Sequence, residues 1–275
     1  MICFLTLFAA ISATSPPHLP LQMQISAVDS TSYSQFYEPE AELLLLKLVN
    51  EARSQAGVPP LHIDEGLTRA ARQHSQAMAR AKTLSHQLPQ EASLTGRIAG
   101  NSDLHLDHVA ENVSLAENAV ESHQGLMHSP PHRENILDSN LNIIGIGVVR
   151  ADSVIYVTED FGHSLPEYSG QQAEELVSSA VGLTRRAARL PLLSEEANVS
   201  SRQAACDMAH ADSLDGPNPS ARYVLRYTTL QPATLPANAI SAVQQRDLHA
   251  FSTGICFART AHYPNGAYWV VLFLY

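Results

Sequence analysis

Ser129-Pro130-Pro131-His132-Arg133-Glu134-Asn135-Ile136-Leu137, then Ile143-Ile-Gly-Ile-Gly-Val-Val149 and Val154-Ile-Tyr-Val-Thr-Glu-Asp-Phe161, is the stretch whose reading decides the fold. Proline has no amide hydrogen. The Pro130-Pro131 pair therefore stops a helix arriving from upstream and suits the first turn of a new one, running through Leu137. Beyond it the period changes. Two runs rich in β-branched residues are joined by Arg150-Ala-Asp-Ser153, the pattern of a hairpin. Helices followed by a hairpin predict an α+β sandwich rather than a parallel α/β sheet.

Upstream, a first helix is expected to begin near Glu38-Pro39-Glu40, with acids facing the positive helix end. Leu43, Leu46, Leu48, Val49 and Ala52 are its expected buried stripe, and Gly57 with Pro59 its end. Asp64 is a fitting N-cap for a second helix carrying Leu67, Ala70, Ala71, His74, Ala77 and Met78 at helical spacing. The stretch 82–109 shows no sustained period and reads as loop. Ser114-Leu-Ala-Glu117 reads as a capping box opening a third helix.

Downstream, 164–188 reads as a helical connector around Gln171 to Arg186, and 189–275 as a smaller unit that echoes the first. Pro191-Leu-Leu-Ser-Glu-Glu and Ser201-Arg-Gln-Ala-Ala-Cys parallel Pro60-Leu-His-Ile-Asp-Glu and Arg72-Gln-His-Ser-Gln-Ala. Gly254-Ile-Cys-Phe-Ala-Arg259 parallels Gly145-Ile-Gly-Val-Val-Arg150, and Tyr268 to Phe273 parallels Ile155 to Asp160. A degenerate second copy accounts for this. Chance similarity between two α+β segments is the alternative.

The chain begins with an apolar run through Ala13, whose small residues Ala10, Ser12 and Ala13 suit a signal-peptide cleavage site, although no Lys or Arg precedes it. Residues 14–37 are Ser-, Thr-, Pro- and Gln-rich and read as a flexible lead-in. No stretch is long and apolar enough for a transmembrane segment, so the expectation is a secreted or periplasmic protein. A net charge of −10 leaves no basic surface for nucleic acid. Removing the signal would leave Cys206 and Cys256, an even pair that suggests a disulfide in an exported chain. Two buried free thiols are the alternative.

Six short motifs occur in order: Leu48-Val-Asn-Glu-Ala-Arg53; Pro60-Leu61 before the Ala-rich helix; Leu84-Ser85-His86; Ala110-Glu111-Asn112; Ser129 to Leu137; and Gly145-Ile-Gly147 with Tyr156 to Gly162. On these, residues 38–163 read as one domain, of which 40–163 resemble the CAP superfamily: cysteine-rich secretory proteins, antigen 5 and plant pathogenesis-related class 1 proteins, especially the bacterial secreted branch. The resemblance implies an αβα sandwich and export. It also implies a central cleft, which in the family usually carries two His and two Glu and often zinc or another divalent ion. His86 and Glu111 match the first of each. The second family histidine reads Tyr156 here, the helix stretch Leu126-Met-His-Ser129 lacks the second acid, and Glu159 stands where the family usually has Gln. Bacterial members offer the histidine found here as His132. The implied cleft set is His86, Glu111 and His132, with Tyr156 and Glu159 nearby.

Two neutral imidazoles and a carboxylate would suit Zn²⁺ with an open fourth position, where bound water could ionise. Without metal, a histidine beside Glu111 could act as a general acid or base, and Glu111 could equally serve to tie down loop amides. His74 reads as a satisfied, partly buried residue; His62, His105, His108, His123 and His163 read as solvated. There is no Gly-x-Ser-x-Gly elbow and no His-Glu-x-x-His. The second unit has no acid or imidazole where the first has His86, Glu111 or His132. The function expected is binding of a divalent ion, or of a small apolar, lipid or glycan ligand. The rivals are a metal-dependent hydrolase acting on peptide or cell-wall material, and an envelope interaction module with a vestigial cleft.

Overall fold

The computed structural model describes residues 37–196, 199–216 and 220–275. The expected signal run 1–13 and nearly all of the lead-in 14–37 lie outside the described residues. Helix α1 (Pro39–Gln55) starts on its proline and ends before Gly57, whose φ of 72° closes the turn. Strand β1 (His62–Ile63) leads to α2 (Glu65–Ala81), capped by the Asp64 carboxylate on the Leu67 amide. Then come α3 (Leu94–Ala99), β2 (Leu106–Ala116), α4 (Ala119–His128), α5 (Pro130–Leu137), β3 (Ile143–Ala151) and β4 (Val154–Ser164). The sheet order is β1-β3-β4-β2, with β1 parallel to β3 and the other pairs antiparallel. β2 is thus an edge strand.

Both faces of this sheet are covered. Leu45 and Val49 of α1, Leu126 of α4 and Ile136 of α5 pack on Ile144, Ile146, Val148, Ile155, Val157 and Phe161. Helix α2 covers the other face, and glycine lets it approach: a Cβ on Gly147 would sit 2.3 Å from the Arg72 amide nitrogen. The result is an α+β fold, an αβα sandwich.

Three local expectations fail for one shared reason. Leu43 is exposed, and the buried stripe of α1 is Glu42, Leu45, Val49 and Arg53. Glu42 pairs with Arg72, while Arg53 donates to the carbonyls of Pro59, Ile136, Asp138 and Leu141, so tertiary partners carry polar groups inside. The 82–109 stretch contains α3, capped by Ser93, and the start of β2. Ser114 lies within β2 and bonds Ser122; the real N-cap of α4 is Asn118. A strand with polar residues on a buried face shows no clean alternation.

The second half comprises α6 (Gly170–Ala187), β5 (Ser194–Glu195), α7 (Val199–Ala211), β6 (Tyr223–Thr229), α8 (Ala237–Val243), β7 (Ala250–Ala258) and β8 (Ala267–Leu274). Its sheet order, β5-β7-β8-β6, repeats the first with the same parallel and antiparallel pairs. Helix α6, expected as a connector, lays Ala173, Val177 and Val181 into this half's core beside Val270 and Leu272. Structural counterparts run deep. Arg185, like Arg53, is buried and donates from Nε to a proline carbonyl six residues on, and from Nη1 to two more distant carbonyls. Arg202 grips Glu174 as Arg72 grips Glu42. A Cβ on Gly254 would meet the Ser201 backbone at 2.1 Å, so Gly254 matches Gly147, two residues beyond the partner Gly145 expected from sequence. Cys206 of α7 and Cys256 of β7 form the expected disulfide, with Cα atoms 5.0 Å apart.

Candidate functional site

Register along β2 sorts the site residues by face. Glu111 stands opposite Asp160 and Asn112 opposite Glu159. Paired residues share a face and successive residues alternate. Glu111, Val113, Tyr156 and Asp160 therefore turn towards α2, whereas Asn112 and Glu159 turn towards α5.

On the α2 face, the buried Glu111 carboxylate has both oxygens engaged. One meets His86 Nδ1 at 2.8 Å, and the other accepts from Arg97 Nη2. A carboxylate only accepts, so His86 Nδ1 carries the hydrogen and its Nε2 is left as an acceptor. Arg97 also donates to the carbonyls of His86 and Ala92 and lies 3.7 Å from Glu91. His74 is fully buried, as its helix position suggested, with Nδ1 2.8 Å from Glu91 and Nε2 2.9 Å from the Ser85 carbonyl. Both partners accept, so both ring nitrogens are donors when both bonds form. Asp160 stands opposite Glu111 with both oxygens buried and without a hydrogen-bond partner, and Arg97 offsets the Glu111 charge only in part. Burial, reinforced by the neighbouring Glu111 charge, holds its carboxyl well above the usual range and hence protonated.

On the α5 face, Asn112 Nδ2 bonds both the His132 carbonyl and Glu159, and Asn135 of α5 bonds Asn112 Oδ1 and the Glu111 carbonyl. These amides fix α5 against the free edge of β2. They bring the His132 ring round that edge to stack on His86, with centroids 6.4 Å apart. Burial lowers the His132 pKa and keeps the ring neutral, and any proton taken up by His86 would lower it further. His86 remains 60% exposed at the mouth. Glu159 is fully buried, and this pushes its carboxyl up to about 7 against the bond from Asn112.

The structure thus brings together His86, Glu111 and His132 and leaves two expected neighbours elsewhere. Tyr156 packs with Met78 and Val113, about 13 Å along the strand from Glu111. Glu159 lies behind the sheet. A closed zinc set fits poorly, because Glu111 already serves His86 and the Arg97 cation. Among the described residues no three of His, Cys, Asp and Glu converge as metal ligands. Arg97, Glu91 and Asp160 are functional neighbours the sequence reading missed; the Ser93 cap ahead of Arg97 was the available signal. Two histidines expected to be solvated are buried, His105 against Phe257 and Tyr268, and His123 on the inner face of α4. In the second half, register places Ala204, Val224 and Phe273 where the first has His74, Glu111 and Asp160, and they pack as apolar core.

Residues 46–161 match the family model of the cysteine-rich secretory protein family, CAP. Over 122 residues the chain is 32% identical to YkwD of Bacillus subtilis, covering 41% of this chain and 44% of that one, so it spans less than half of this curated relative. Among solved structures, an extracellular protein containing an SCP domain from Bacillus anthracis shares 24% identity at a TM-score of 0.42, over 55% of this chain and 45% of that one. Na-ASP-1 shares 8% identity at a TM-score of 0.47, over 86% of this chain and 89% of that one.

Proposed function

Because residues 46–161 form a CAP domain of the bacterial type, we propose that the chain is an extracellular binding protein rather than a hydrolase. The observation that supports this is the anchored imidazole pair. His86, held by its Nδ1 hydrogen on Glu111, presents Nε2 outward beside the neutral His132. Two acceptors 6.4 Å apart between centroids suit a small ligand that donates hydrogen bonds from two hydroxyl or amide groups. Hydrolysis at zinc requires three protein ligands, and Glu111 is committed to Arg97. Export fits the disulfide.

The test is a calorimetric Zn²⁺ titration of the wild type, His86→Ala and His132→Ala, beside ¹⁵N spectra of the imidazoles. The expected result is zinc binding weaker than micromolar, with a His86 ring protonated at Nδ1. Micromolar or tighter zinc binding abolished in both variants would replace this reading with a metal centre and reopen hydrolysis.

A further inference from the structure

The described residues form one compact unit, and a groove lies between the first half's β2 and the second half's β7–β8 turn. Two cavities, of about 180 Å³ and about 350 Å³, lie side by side with Asp107 and Leu230 as shared wall residues. From the first half the groove receives Thr95 and the start of β2, Asp107 and His108. The β7–β8 turn contributes His262, Tyr263 and Asn265. The end of β6 and the segment beyond add Thr228, Thr229, Gln231 and Thr234. None of these residues belongs to the cleft, since Asp107 lies four residues, about 13 Å, before Glu111 along β2.

We propose that this groove binds a neutral oligosaccharide. Four features carry the assignment. First, its polar side chains are hydroxyls, planar amides, one carboxylate and imidazoles, which pair with sugar hydroxyls as both donors and acceptors. No Lys or Arg lines either cavity, which disfavours phosphates and other anions. Second, two polar atoms in the walls, Asn265 Oδ1 and Tyr227 Oη, are buried with no partner within the protein. Each is an unmet hydrogen-bonding demand that a ligand hydroxyl would satisfy. Third, the β2 register shifts between Leu106 and His108, a bulge in an edge strand that re-aims the Asp107 side chain at the groove mouth. His163 Nδ1, at 2.6 Å, holds Asp107 by one oxygen, and Asp212 holds His262 by Nδ1 at 2.8 Å, leaving the other oxygen and Nε2 to accept. Fourth, Tyr263, Pro264 and Leu230 offer apolar surface for the C–H face of a sugar ring.

The second half has apolar residues in place of the cleft cluster. A peptide adding to the β2 or β6 edge would instead be held by backbone bonds, and tetra-alanine distinguishes that outcome.

Trp269 is the only tryptophan, and it packs edge-on against Tyr263 with centroids 5.8 Å apart, so its emission reports on this wall. The full chain is titrated with N-acetylchitotetraose, cellotetraose, maltotetraose and tetra-alanine, followed by calorimetry and by Trp269 emission. The expected result is saturable binding of at least one tetrasaccharide with an emission shift. Asn265→Ala should weaken it about tenfold, the loss of one good hydrogen bond. Since that buried change can disturb the turn, the exposed Gln231→Ala and Thr234→Ala serve as further variants, and weakening in either supports the groove. His86→Ala should bind as wild type. The proposal is overturned if no tetrasaccharide binds at about 10 mM, if folded groove variants all bind normally, if His86→Ala abolishes binding, or if tetra-alanine alone binds and shifts the emission.

Discussion

Replacing Glu159 by glutamine should make the protein more stable at alkaline pH and leave it nearly unchanged near pH 5. Glu159 is fully buried, and burial moves its carboxyl from the ordinary 4.5 to about 7. Between those values the folded chain holds a proton that the unfolded chain has released, so stability falls as pH rises through the window and levels off above it. At about 1.4 kcal/mol per pH unit, the loss amounts to about 3 kcal/mol. Glutamine keeps an oxygen to accept from Asn112 Nδ2 and carries no charge, but its amide adds an unpartnered donor that costs about 1 kcal/mol. The net expectation at pH 8 is a gain of about 2 kcal/mol. Urea denaturation of both proteins at pH 5 and pH 8, with the disulfide intact, measures it by linear extrapolation. Taking the difference between the two proteins cancels Asp160 and every other titrating group. Equal pH dependence in wild type and Glu159→Gln would refute the argument that this carboxylate is buried at its own expense.

Glu111→Ala should cost about 3 kcal/mol in the same assay, because it strips the buried Arg97 of its nearest counter-charge; it should also release His86, seen as loss of the Nδ1–H signal in ¹⁵N spectra. Arg53→Met and Arg185→Met should each destabilise by about 3 kcal/mol, since each leaves three or more backbone carbonyls without their donor. Equal tolerance of both substitutions in thermal melts would show that the matched arginines do not brace the two halves. Replacing Cys206 and Cys256 by serine should cost about 4 kcal/mol in the chain-entropy account, given their separation of 50 residues, and reduction of the wild type should lower its melting temperature to that of the variant.

Much of the fold was legible where a local rule suffices. Asp64 caps α2, Pro39 opens α1, Pro130-Pro131 divides α4 from α5, and the β-branched runs form the hairpin. Each follows from the chemistry of one or two neighbouring residues. The motif resemblance likewise placed His86, Glu111 and His132 together before any coordinates. What it could not supply was the role of Glu111, because the Arg97 guanidinium reaches it only once α3 folds beside β2.

The chain by itself determined the hydrogen-bonding limits of its prolines, the caps, the hairpin and the cysteine count, because these depend on contacts a few residues away. Tertiary structure alone decided which polar residues go inside. Glu42, Arg53, Arg97, Asn112 and Asp160 are buried by partners 14 to 83 residues distant or by a protonation that burial imposes. An apolar period cannot announce such residues, which is why β2 was read as loop and helix, and why the glycine of the second half was matched two residues away from its true counterpart.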